Sequence, residues 1–122
     1  MSVILITGRP GSGKTHMAYA LAKEYAERGE PAAVIDGDEI RAETGDRDFT
    51  DAGRRRNLEK MAHMAAKFEG HGIVAIVAAV APKREFRDMM RAMWLPGSRL
   101  VYLPGGTLWD GTAYEVPGEG EF

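Results

Sequence analysis

At 122 residues, with 44% hydrophobic and 28% charged side chains, the chain has the composition of an ordinary folded domain. Its length suffices for one core and leaves little for a second functional unit, so one domain over residues 1–122 is expected. A formal net charge of −2 argues against a surface that coats nucleic acid generally, and the lack of cysteine excludes disulfides, thiolate metal sites and a thiol nucleophile.

No cysteine suits a reducing compartment, so the cytoplasm is the expected location. The opening "VILI" lacks a basic leader and runs directly into glycines, and no apolar run approaches membrane-spanning length. No membrane partner is expected, and the chain should be a folded monomer or a small oligomer such as a homodimer.

"VILIT", Val3 to Thr7, is a short apolar run rich in β-branched residues, which predicts a strand buried on both faces. A glycine-rich turn follows. From Lys14 to Arg28 the spacing of Met17, Ala18, Leu21, Ala22 and Tyr25 predicts a helix, with Gly29 as its stop. "PAAVID" predicts a second strand. A longer helix is expected from Thr50 or Asp51 to just before Gly70, with Leu58, Met61, Ala62, Ala65 and Phe68 as its buried stripe. Ile73 to Ala81 is the longest apolar run and the best candidate for the central strand. A helix from about Lys83 to Trp94 and a strand in "SRLVYL" complete the alternation, and the glycine-rich residues from Pro104 onward are expected as a surface segment folded over the site. Alternating strands and helices predict a parallel sheet between two helical layers, with ligands at the carboxyl ends of the strands.

"GRPGSGKT" fits G-x-x-x-x-G-K-[ST] in the context that motif requires, a strand before it and a helix after it. The fold class is therefore α/β, a P-loop NTPase fold with a short parallel sheet in three α/β/α layers. Gly8, Gly11 and Gly13 let the backbone curl so that the N–H groups of Gly8, Arg9, Gly11, Ser12 and Gly13 onward surround the phosphates of the bound nucleotide, with Pro10, which has no N–H, also in the nucleotide-binding loop. Lys14 is expected to neutralise the β- and γ-phosphates of ATP, and the Thr15 hydroxyl to ligate Mg²⁺. His16 can at most touch the nucleotide; His63 and His71 receive no role.

"DGDEIR", Asp36 to Arg41, follows the second strand. Asp38 there can orient an acceptor hydroxyl and take its proton, while Arg41, one helical turn on, can hold the acceptor or the moving phosphoryl group. The competing reading makes Asp38 the cap of a short helix and Arg41 a solvated charge. Asp36 is a candidate for Mg²⁺ through water, beside Thr15.

From Gly8 to about Arg91, these motifs in this order and spacing resemble the adenylylsulfate kinases, whose pattern runs D-G-D-N-[VI]-R, then F-S-x-x-D-R-x-x-N, then an apolar strand with S-P and arginines. Asp36, Asp38 and Arg41 match the first segment, Phe49, Arg54 and Asn57 the second, and Pro82, Arg84 and Arg87 the third. The resemblance implies that ATP phosphorylates the 3′-hydroxyl of adenosine 5′-phosphosulfate, that these arginines and Asn57 grip the acceptor, and that Phe49 stacks on its adenine. "AYEVP", Ala113 to Pro117, resembles the family's "PYEPP".

The departures concern the acceptor. Ala81 stands where the family has Ser, Gly53 where it has an acid, and Leu58, Glu59 and Lys60 where it has I-R-R. The family's basic lid has no counterpart between Tyr102 and Tyr114. Its role would pass to Arg84, Arg87 or a polymeric substrate, so the partner is expected to be a small nucleotide-like acceptor or, as the rival, a hydroxyl on nucleic acid such as 5-hydroxymethyluracil or a 5′-end. In that rival Arg55 and Arg56, which cannot share one helix face with Arg54, would meet flanking phosphates, and Phe49 or Trp109 would stack on a base. A non-catalytic nucleotide-binding module is the remaining alternative. A GTP switch is set aside because N-K-x-D is absent.

Overall fold

The computed structural model describes residues 3–107 and 113–122. Its elements run β1 (Val3–Thr7), α1 (Lys14–Glu27), β2 (Ala32–Asp36), α2 (Gly37–Thr44), α3 (Asp51–Gly70), β3 (Val74–Ala78), α4 (Arg84–Ala92) and β4 (Arg99–Tyr102). The four strands form one sheet in the order β2-β3-β1-β4, every pair parallel, with Ile4 beside Ile76 and Arg99. This is the α/β architecture with a short parallel sheet expected of a P-loop fold.

The period-two alternation within each apolar strand divides the core into two layers. Val3, Leu5, Ile35, Ala75 and Val77 pack with Leu58, Met61 and Ala65 of α3 and with Phe86 and Met90 of α4. Ile4, Ile6 and Ile76 pack on the opposite face with Ala18, Met17 and Leu21 of α1. A strand covered on both sides must be apolar at every position, which is why "VILI" shows no alternation in polarity. Trp94 is core, as its position suggested; its indole N–H donates to the Ala62 carbonyl at 2.9 Å.

Three boundaries differ from expectation. A short helix, α2, follows β2 directly, because the Asp36 carboxylate accepts from the Asp38 and Glu39 amides and so caps it. Strand β3 stops at Ala78 rather than Ala81, because Ala81 lies at φ +42°, which no strand accommodates. Residues 113–122 do not cover the cleft: Pro117 and Glu121 are buried, and Glu121 is drawn into an ion pair with Arg87 on the far side of the wall. Trp109 falls outside the described residues. Among the described residues no helix is long and apolar enough to cross a membrane.

Candidate active site

The turn after β1 places six loop and helix residues, Pro10, Gly11, Gly13, Lys14, Thr15 and His16, along one wall of a cleft of about 480 Å³ at the carboxyl end of the sheet. Gly11 and Gly13 lie at φ +79° and +96°, in the left-handed region that glycine enters without strain. Gly8 is required for a different reason: a Cβ there would fall 2.6 Å from the Leu103 carbonyl oxygen, a backbone atom that cannot step aside. Lys14 donates to the Arg9 carbonyl at 2.9 Å, and burial pulls its pKa down against the opposing pull of Asp38 and Asp36. Together, the open curl, the helix N-terminus and a partly buried ammonium have the shape and charge to receive a polyphosphate.

Arg9 and Ser12 belong to the loop but do not line the cleft. The Arg9 guanidinium lies 5.7 Å from the centre of the Tyr114 ring, and Ser12 N–H closes the turn on the Arg9 carbonyl at 3.2 Å.

Thr15 donates its hydroxyl to Asp36 Oδ2 at 2.5 Å, joining the start of α1 to the end of β2. A hydroxyl and a carboxylate side by side are hard oxygen donors, suited to Mg²⁺ when phosphate oxygens and water supply the remaining positions. Among the described residues there is no cluster of three metal-ligating side chains, so this pair does not form a cage of its own. Asp36 is buried, and both of its oxygens accept hydrogen bonds from the protein, Oδ2 from Thr15 and Oδ1 from the Asp38 and Glu39 amides.

Because Asp36 is the cap, Asp38 is not. Asp38 lines the cleft, and among the described residues no protein group bonds its carboxylate. Arg41 follows one turn later. It donates through Nη1 to the Asp48 carbonyl at 3.2 Å and lies 4.5 Å from the centre of the half-exposed Phe49 ring. Arg54, at the start of α3, approaches the same ring to 5.6 Å and donates through Nε to the Phe49 carbonyl at 3.0 Å. Burial first, and the nearby charge of Arg41 second, lower the Arg54 pKa. Two guanidinium groups crowded onto one aromatic ring repel each other, and an anionic ligand would relieve that repulsion. Asn57 is buried at the same wall, where its amide nitrogen meets the Met61 sulfur at 3.8 Å.

The opposite rim is Ala79 to Pro82. Two arginines expected beside Pro82 are elsewhere. Arg84 is exposed and pairs with Asp88 at 3.6 Å on the outer face of α4. Arg87 is fully buried behind the rim, with its guanidinium spent on Glu121 and on the carbonyls of Ala81 and Glu115. Neither reaches the cleft: Arg84 sits on the solvent side of its helix, and the apolar interior holds Arg87 only because a carboxylate neutralises it. Arg55 and Arg56 lie outside the cleft too, paired with Glu59 and with Asp46 and Asp48. Arg55 and Arg56 thus form surface ion pairs with the protein's own carboxylates. None of the described residues beyond Pro82 lines the cleft.

The sequence model of the family described as Adenylylsulphate kinase matches residues 1–103. The chain belongs to the adenylylsulphate kinase family. An adenylyl-sulfate kinase of Bacillus velezensis is 37% identical over 97 residues, covering 79% of this chain and 49% of its own length. One from Paraburkholderia xenovorans is 40% identical over 91 residues, covering 74% and 51%. The chain thus spans about half the length of the curated relatives it matches. The solved structure of a Mycobacterium tuberculosis APS kinase in complex with AMPPNP and APS superposes with a TM-score of 0.74 at 30% identity, covering 83% of this chain and 60% of that one. These family relatives give no support to a nucleic-acid acceptor.

What the sequence reading missed is the support behind the family motifs. Asp48, which holds Arg41 through its carbonyl and Thr50 through its carboxylate, has no motif of its own. Tyr114 was visible in "AYEVP". Glu121 had no local signal at all.

Proposed function

We propose that this chain transfers the γ-phosphoryl group of MgATP to the 3′-hydroxyl of adenosine 5′-phosphosulfate. The observation that carries the reading is one cleft with two unlike walls. A phosphate-binding loop with Lys14 and Thr15 forms one, and the unpartnered Asp38 carboxylate, the Arg41 and Arg54 pair, Phe49 and Asn57 form the other. The M. tuberculosis relative, described as holding a nucleotide analogue and APS together, supports assigning the two walls to donor and acceptor.

In this reading the loop amides and Lys14 hold the β- and γ-phosphates, and Thr15 and Asp36 are the residues that would hold Mg²⁺, which when bound would supply charge neutralisation. Arg41 and Arg54 take the anionic phosphosulfate end of the acceptor, and the Phe49 ring takes its adenine. Asp38 accepts the proton of the acceptor hydroxyl as that oxygen bonds to the γ-phosphorus and the bond to the β–γ bridging oxygen breaks, leaving ADP.

The test is incubation with γ-labelled ATP and, in parallel, adenosine 5′-phosphosulfate, AMP and free nucleosides. Label should pass to adenosine phosphosulfate far faster than to the others. ATP binding without transfer to any acceptor would make the chain a nucleotide-binding module instead.

A further inference from the structure

Residues 113–122 tie the end of β1, just before the phosphate loop, to the Ala79–Pro82 rim of the cleft. Thr7, the last residue of β1 before the phosphate loop, has one hydroxyl proton, and its oxygen lies 2.7 Å from the Val80 carbonyl, which can only accept. The Tyr114 hydroxyl, 2.8 Å from that same oxygen, must therefore donate to Thr7. The next residue reaches that rim, where Glu115 N–H donates to the Pro82 carbonyl at 2.7 Å. Arg87 then fastens the segment. It makes four hydrogen bonds, to both oxygens of Glu121, to the Ala81 carbonyl at 2.8 Å and to the Glu115 carbonyl at 2.8 Å. Glu121 is as buried as its partner and also accepts from the Gly118 amide.

Stability alone is a poor reason for this arrangement, because a buried ion pair is seldom more stabilising than an apolar pair of the same volume. What an apolar pair could not do is donate to two carbonyls at once. One of those carbonyls belongs to Ala81, a cleft residue at φ +42°, where a side chain is strained unless its surroundings hold it. We propose that Glu121 is a positioning residue: it holds Arg87 in the orientation from which the guanidinium fixes Ala81 and Glu115, and thereby Pro82, so that residues 113–122 set the shape of the Ala79–Pro82 rim that faces the bound acceptor. This rests on the proposed kinase reading for its catalytic consequence, but not for its structural one.

Glu121→Gln keeps the shape and removes the charge. In the full chain, at a temperature where circular dichroism shows it folded, hydrogen exchange of the Glu115 amide should accelerate by about tenfold or more, while the α3 amides stay protected. In the kinase assay the KM for adenosine phosphosulfate should rise roughly fivefold or more with the KM for ATP within about twofold of the parent. Unchanged exchange at Glu115 overturns the inference whatever the activity. Exchange that accelerates while both KM values rise together also overturns it, since the role would then be general stability. A parent chain that does not phosphorylate adenosine phosphosulfate defeats the proposed function, and the exchange measurement still decides the coupling. Should Glu121→Gln not fold, Arg87→Lys retains the buried charge pair but cannot reach both carbonyls, and the same exchange and KM pattern is expected of it.

Discussion

Lys14 lies against the carbonyl of Arg9, 2.9 Å away, so the cation of the phosphate loop is folded onto the loop itself and stabilises its curl. The same ammonium is drawn by Asp36 and Asp38 from across the cleft while burial weakens its hold on the proton. A bound γ-phosphate would compete with the Arg9 carbonyl for it. Lys14→Ala removes a charge that can follow the phosphoryl group, while the loop amides that bind phosphate persist. Turnover should fall on the order of 10²-fold or more, with ATP affinity reduced much less. Steady-state kinetics beside a nucleotide titration make the comparison, and equal losses in both would reduce Lys14 to a binding residue.

Asp36 and Asp38 stand two residues apart and should respond in opposite ways. Asp36 caps α2 and receives Thr15, so Asp36→Ala should destabilise the fold by about 1–2 kcal/mol through the lost cap alone. Among the described residues no protein group bonds the Asp38 carboxylate, so Asp38→Asn should leave stability within about 0.5 kcal/mol of the parent while kcat drops on the order of 10²-fold. Urea unfolding and single-turnover transfer, run on both variants, distinguish them. If Asp38→Asn unfolds easily and keeps its turnover, the two roles are exchanged.

The contrast between these aspartates shows how far the sequence could be read. "DGDEIR" placed two carboxylates at the end of a strand, but the choice of cap depended on which one the chain direction turns toward the amides, and that is a property of the three-dimensional turn. The strands were legible because each is apolar on both faces, and α1 and α3 because of their 3.6-residue stripes. The phosphate loop was legible because its chemistry is local. Arg87 was misplaced for the opposite reason: its fate is set by Glu121, 34 positions away, and an arginine in a motif does not show whether a distant carboxylate will draw it into the core. Strand β3 was read too long because nothing in Ala81, an unremarkable apolar residue, signals its positive φ or the Arg87 guanidinium that binds its carbonyl.

Glu121 also makes an acid-stability prediction. Burial by itself would raise its pKa, but the hydrogen bonds and charge of Arg87 outweigh burial and hold it below the ordinary glutamate value. A carboxyl depressed in the folded state stabilises the protein above its unfolded pKa, and that contribution is lost as pH falls through the folded value. Denaturant midpoints measured from about pH 6 down to about pH 3, across the ordinary glutamate range, should therefore fall less steeply in Glu121→Gln than in the parent. Parallel curves would mean that other carboxylates carry the acid transition.

Gly53 is a helix residue with no conformational need to be glycine, and its reason lies in Asp48. A Cβ built on Gly53 falls 2.4 Å from the Asp48 carbonyl oxygen and 2.3 Å from its carboxylate carbon. The Asp48 loop has thus settled into the space a side chain would fill, and from there its carbonyl holds Arg41 and its carboxylate holds the Thr50 amide and hydroxyl. Gly53→Ala must push that loop outward. Alanine favours the helix by about 1 kcal/mol over glycine, while forced overpacking costs about 1–3 kcal/mol, so the net change in stability should be small and unfavourable. The larger effect should be on function, because Arg41 and Phe49 move with the loop: the KM for adenosine phosphosulfate should rise several-fold, on the order of tenfold, with the KM for ATP little changed. Asp48→Gly in the Gly53→Ala background removes the clashing carboxylate but not the clashing carbonyl. It should therefore recover part of the stability without restoring the acceptor KM. Full recovery of both would show that the Asp48 side chain, rather than the backbone that holds Arg41, is what Gly53 accommodates.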